Sequence, residues 1–160
     1  MEVEMMIKGL MIDPITNMPI VVLREGEGRR VLPIWVGVFE ANAIALQMEN
    51  VETPRPMTHD LLKSIISGLR ADVERVVVSE LRDNTFYARI HLRSGREDLA
   101  IDARPSDAIA LALRVGARIY VEECVFEAAL EETPGETADL TRLQKWLEGL
   151  DEEQLGKYKM

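Results

Sequence analysis

The chain holds a single cysteine, Cys124, in 160 residues. One thiol cannot close an intramolecular disulfide and has no spacing partner for a zinc site, which excludes a disulfide framework and a zinc finger. Glu122 and Glu123 beside it disfavour the thiolate, so a cysteine nucleophile is not expected. No apolar run approaches the roughly 20 residues that span a bilayer. The start, Met1-Glu-Val-Glu4, lacks the basic opening of a signal peptide, and a cytoplasmic protein is expected. There is no Gly-rich phosphate loop, no low-complexity tract and only 5% aromatic residues. What is present is an ordinary globular balance: 47% hydrophobic residues in a chain long enough to bury a core.

Positive charge is scarce overall and unevenly placed. The formal charge of −9 repels polyphosphate at long range. Residues 1–52 carry −4 and residues 119–160 carry −7, whereas residues 53–118 carry +2. Both Arg-Pro motifs described below fall in that positive third, with Arg89, Arg93 and Arg96. Tight nonspecific DNA binding is therefore not expected. Short or single-stranded nucleic acid, with a metal ion supplying positive charge, suits this balance better.

Turn signals divide the chain. Glu2–Ile12, Met18–Arg24 and Arg29–Val36 read as strands separated by Asp13-Pro14-Ile-Thr-Asn17 and Glu25-Gly-Glu-Gly28. Gly37 closes the third, and Phe39, Ala43 and Leu46 predict a helix to about Asn50. A proline-containing loop leads to a helix from Thr58 to Gly68. Val73–Leu81 and Phe86–Leu92 alternate around Asp83-Asn84, a hairpin turn, and Leu99–Ile101 follows. Arg118–Val121 is a candidate last strand, with a helical turn at Val125–Leu130. The class is α+β: antiparallel or mixed sheets built from two β-meanders with packed helices, plus a C-terminal helix. Residues 1–132 form the domain. Residues 133–160 are a linker at Thr133-Pro-Gly135 and an amphipathic helix carrying Leu140, Leu143, Trp146, Leu147 and Leu150.

Two helix starts carry the chemistry. In Asp102-Ala-Arg-Pro-Ser-Asp107, Pro105 suits the first helical position, and Ser106 or Asp107 can cap the free first-turn amides. Capping does not need Asp102 or Arg104. A strand-to-helix junction with a dipole and free amides is a phosphate site, with Arg104 as bidentate donor. Caps plus a local Arg–Asp pair are the simpler explanation. Earlier, Arg55-Pro56 precedes a helix with Thr58 as its N-cap and Asp60 in the first turn. His59 can serve as general base or ligand, or as a solvated first-turn residue. Adjacent helical residues diverge, so His59 and Asp60 need not form a dyad. Trp35 reads as core or subunit-interface packing rather than a base platform, and His91 as a strand residue facing away from Ile90 and Leu92.

Leu32-Pro-Ile-Trp-Val-Gly37 with Glu40-Ala41, then Arg55-Pro-Met-Thr-His-Asp-Leu61, then Asp102-Ala-Arg-Pro-Ser-Asp-Ala-Ile-Ala-Leu111 resembles the bifunctional nuclease domain family. The resemblance spans about the first 130 residues. It implies a compact α+β domain, an oligomer, and hydrolysis of RNA and DNA, with Glu40 inside one motif. Two readings stay open. In one, the chain is a nuclease: Asp102 and Asp107 hold Mg²⁺ or Mn²⁺, Arg55, Arg104 and Ser106 bind phosphate, Arg104 contacts the scissile group, and His59 or Asp60 activates water. In the other, it is a non-catalytic oligomeric module that recognises an anionic ligand or a protein. A homo-oligomer, a dimer or a multiple of dimers, is expected because sheet edges and the apolar run Val31–Val38 need covering.

Overall fold

The computed structural model describes residues 1–131. The expected linker and C-terminal helix lie outside the described residues. Three strands open the chain: β1 (Glu2–Ile12), β2 (Pro19–Glu25) and β3 (Val31–Trp35). Two helices follow, α1 (Val38–Met48) and α2 (Thr58–Gly68). Then come β4 (Ala71–Arg82), β5 (Thr85–Ser94), β6 (Glu97–Ala103), α3 (Pro105–Val115), β7 (Arg118–Glu122) and α4 (Glu123–Glu131). Asp83 and Asn84 both adopt left-handed backbone, φ 51° and 57°, as a two-residue hairpin turn requires.

The two meanders join into one mixed sheet. The strand order is β3-β2-β1-β7-β4-β5-β6. The short β7 makes the join, antiparallel to β1 and parallel to β4, while the remaining pairs are antiparallel. Gly116, at φ 72°, ends α3 and turns the chain back toward that central slot.

Side-chain parity sorts the sheet into two faces. Val3, Met5, Val21, Leu23, Leu32, Ile34, Val76, Ala88, Ile90 and Ile119 join Ile44 of α1 and Ile109 of α3 in one core. A bulge between Ile7 and Gly9 flips β1, so Leu10 stays with this core while Met11 faces the other way. There Met11, Ile20, Val22 and Val31 form a small second cluster, with Trp35 against it. The run Val31–Val38 is thus mostly inside its own chain: Val31, Leu32, Ile34 and Val36 are buried, and only Val38 and Phe39 beyond it stand out in solvent. The strands β2 and β3 read as continuous apolar runs because both their faces are covered. Trp35 packs as expected and donates its indole N–H to Asp13 at 2.9 Å.

Candidate functional site

Helix α3 runs across the core side of the sheet, with α1 and α2 both packed on it. The start of α3 therefore meets the starts of its two neighbours. Arg104 is the N-cap residue, with extended backbone, and Pro105 opens the helix as the sequence predicts. Neither α1 nor α3 has a side-chain cap. The expected capping by Ser106 or Asp107 does not occur: Asp107 turns to other partners, and the buried Ser106 hydroxyl has no hydrogen-bond partner among the described residues. Thr58 is the first helical residue of α2 rather than its N-cap. Asp60 does that work instead, accepting the Met57 amide at 2.9 Å.

At this junction four side chains form a chain of contacts. Arg104 Nη1 lies 3.0 Å from Glu40 Oε1, and its Nε and Nη2 both reach Asp107 Oδ2 at 2.9 Å. Asp107 Oδ1 then meets His59 Nε2 at 2.9 Å. Exposure falls from Arg104 inward: its side chain is 66% exposed, Asp107 29%, and His59 only 8%. His59 is thus a buried partner of Asp107, not a solvated first-turn residue, because α2 lays its first turn against α3. Burial raises the Asp107 pKa, but hydrogen bonds from Arg104 and His59 outweigh it and hold the carboxyl below its ordinary value.

Asp60 points elsewhere, as adjacent helical positions require. Its Oδ1 accepts from Arg114 Nε at 2.8 Å, while Arg114 also donates to the carbonyls of Ala110 and Ala43. The Met57 amide lowers the Asp60 pKa most; burial opposes it and the Arg114 guanidinium adds to it. Asp60 thus joins the first turn of α2 to Arg114 and stands apart from the Arg104 junction. Arg55 of the earlier motif is exposed and makes no ion pair among the described residues.

Asp102 is not at this junction. It sits opposite Arg89 in the β5–β6 register, whereas Ala88 and Ala103 share the core side. Alternation therefore turns Asp102 to the face of the sheet away from α3. Nor is it paired with Arg104, whose partners are Glu40 and Asp107. Asp102 and Asp107 are only five positions apart, but a strand parity and a helix start place them on different sides. His91 also faces that side, away from Ile90, and burial followed by the nearby Arg75 charge lowers its pKa.

Two residues escaped the sequence reading. Phe39 stands 88% exposed in the first turn of α1, next to Glu40. Arg114 is the buried cation that ties the three helices together. A polar residue on the apolar face of α3 was the available signal for it.

A bifunctional nuclease domain matches residues 21–133, which is more than half of the chain and contains every residue of this junction. The chain belongs to the bifunctional nuclease domain family. An uncharacterised protein of Mycobacterium tuberculosis H37Rv is 44% identical over 126 residues, covering 79% of this chain and 75% of the relative. Bifunctional nuclease 1 of Oryza sativa subsp. indica is 29% identical over 105 residues, and that of Arabidopsis thaliana 28% over 109. These matches cover 64% and 66% of this chain but only 32% and 34% of the plant proteins. Among the described residues, no helix is long and apolar enough to cross a membrane.

Proposed function

We propose that this bifunctional nuclease domain hydrolyses phosphodiester bonds in short or single-stranded RNA and DNA at the Arg104 junction. One observation carries the reading: an exposed guanidinium stands at the meeting of two helix starts whose first-turn amides have no side-chain cap. Such amides and the helix dipoles favour a phosphate oxygen, and Arg104 supplies a planar bidentate donor. A phosphate bound there competes with Glu40 and Asp107 for the guanidinium. His59 acts as a positioning residue, fixing Asp107 by donating a ring N–H to its carboxylate. Phe39 offers a ring on which a neighbouring base stacks without sequence preference.

Asp102 and Asp107 face opposite sides of the sheet, and among the described residues no group of three or more His, Cys, Asp or Glu could hold a metal. Mg²⁺ needs only one or two carboxylates, with water and substrate phosphate completing its shell. Asp107 and Glu40, both on Arg104, are the carboxylates that fit. When bound, Mg²⁺ or Mn²⁺ would supply positive charge for the leaving oxygen and a more acidic water.

The same reading includes a homo-oligomer, a dimer or a multiple of dimers, through a face other than the expected one. Helix α2 and its C-cap leave Leu61, Leu62, Ile65 and Leu69 between 37% and 73% exposed. Leu99 and Ile101 are uncovered on the core side of the edge strand β6. A second copy laid over these residues removes both an apolar patch and an open edge.

The test is cleavage of labelled single-stranded RNA and DNA with Mg²⁺, Mn²⁺ or EDTA. Metal-stimulated cleavage that Arg104→Ala abolishes is the expected result. No cleavage in any condition, or activity indifferent to Arg104, would favour the non-catalytic module that binds an anionic ligand or protein.

A further inference from the structure

Beside the junction, a cleft of about 400 Å³ opens between the end of α1, the loop after it and the start of α2. That volume lies within the range of small-molecule sites, near its lower end. Apolar atoms of Leu46, Val51 and Met57 line it with Gln47, Ser64 and Arg114. Arg114 is the informative wall. Its side chain is only 4% exposed, and a guanidinium carries five N–H groups. Asp60, Ala110 and Ala43 take three of them. The remaining two have no partner among the described residues, although buried donors are normally paired. The Gln47 amide has no hydrogen-bond partner among the described residues either.

We propose that this cleft holds the base of the nucleotide next to the scissile phosphate, its ring between the apolar walls and a ring carbonyl on the free Arg114 donors. The inference rests on the nuclease reading for its orientation. His59 and Asp60 are consecutive, and one faces the Arg104 junction while the other faces the cleft. The two sites thus flank a single helical turn, a separation suited to successive groups of one strand. Exposed Lys63 on the cleft's rim adds a cation for a flanking phosphate of the same strand. A flat heterocycle bearing a carbonyl acceptor matches apolar walls with a few convergent donors, whereas a bare phosphate or sugar would leave the apolar walls unused.

The experiment is calorimetric titration of the intact chain with cytidine 5′-monophosphate, uridine 5′-monophosphate and ribose 5-phosphate. A hydrogen bond and modest apolar burial predict nucleotides binding about tenfold tighter than the sugar phosphate. Ser64→Tyr, at an exposed helical position on the cleft, should fill it and bring the nucleotides down to the sugar-phosphate level. Gln47→Leu, close to the same size, should shrink the preference without blocking the cleft. Arg104→Ala should weaken all three ligands together. Equal binding of all three by the parent chain, or a preference unchanged in both cleft variants, overturns the proposal. A preference that vanishes in Ser64→Tyr in a protein that cleaves no oligonucleotide supports the base site and rejects the nuclease reading. Cleavage without any preference does the reverse.

Discussion

The two ends of α3 carry the same chemistry to different ends. Arg104 and Arg114 each pair with an aspartate of a first helical turn, yet one side chain is 66% exposed and the other 4%. The Arg114 guanidinium ties a carboxylate and two backbone carbonyls from three helices, so removing it unties the three at once. Arg104 lies over solvent between two carboxylates, where an ion pair contributes little to stability and can be exchanged for a phosphate. The difference teaches that burial, not pairing, decides which arginine holds the helices together and which can exchange its partner for a phosphate.

The largest effect expected is on chemistry. Arg104→Ala should lower the cleavage rate by about 10²–10³, the usual cost of losing a charged contact to the reacting group. Stability should be lost at the other end: Arg114→Met should cost about 2 kcal/mol in chemical denaturation, because it removes three hydrogen bonds of a buried guanidinium. Equal losses of stability in the two variants would erase the distinction.

The expected subunit contact is tested on α2. Ile65→Glu places a charge in the exposed apolar face and should reduce the mass seen by light scattering to that of one chain. A parent chain that is already monomeric at micromolar concentration refutes the oligomer.

Acid provides a smaller effect. Asp60 and Asp107 have folded pKa values held below 3.8, their ordinary value. A lowered folded pKa stabilises above the unfolded value and is lost as pH falls through the folded one. The melting temperature should therefore change little on this account above about pH 5 and fall below about pH 4. Smallest of all, Arg104→Ala should alter stability by less than about 1 kcal/mol.

Much of this fold was legible because strands and helix starts are local. Alternation around Asp83-Asn84 and the Pro105 start predict elements close to those found. The single sheet was not legible, since it depends on β7 slotting between β1 and β4, a pairing distant in sequence. Sequence reading also placed Asp102 and Asp107 together by proximity; strand parity separates them. Conversely, His59 and Asp107 lie 48 positions apart and meet only because α2 packs on α3. Glu40 was visible as part of a motif, but its contact with Arg104 required the α1–α3 interface. Val31–Val38 looked like uncovered surface because an apolar run does not reveal whether the chain buries it itself.

The central claim is that the Arg104–Asp107 junction, and not a carboxylate pair that includes Asp102, is where phosphodiesters are cleaved. Cleavage of one single-stranded oligonucleotide by Asp107→Asn and Asp102→Asn, each checked by thermal melting, tests it most directly. The account predicts that Asp107→Asn loses about 10²–10³ in rate, while Asp102→Asn, on the far face of the sheet, keeps the parent rate. Equal loss in both folded variants would contradict it and restore a metal site shared by the two aspartates.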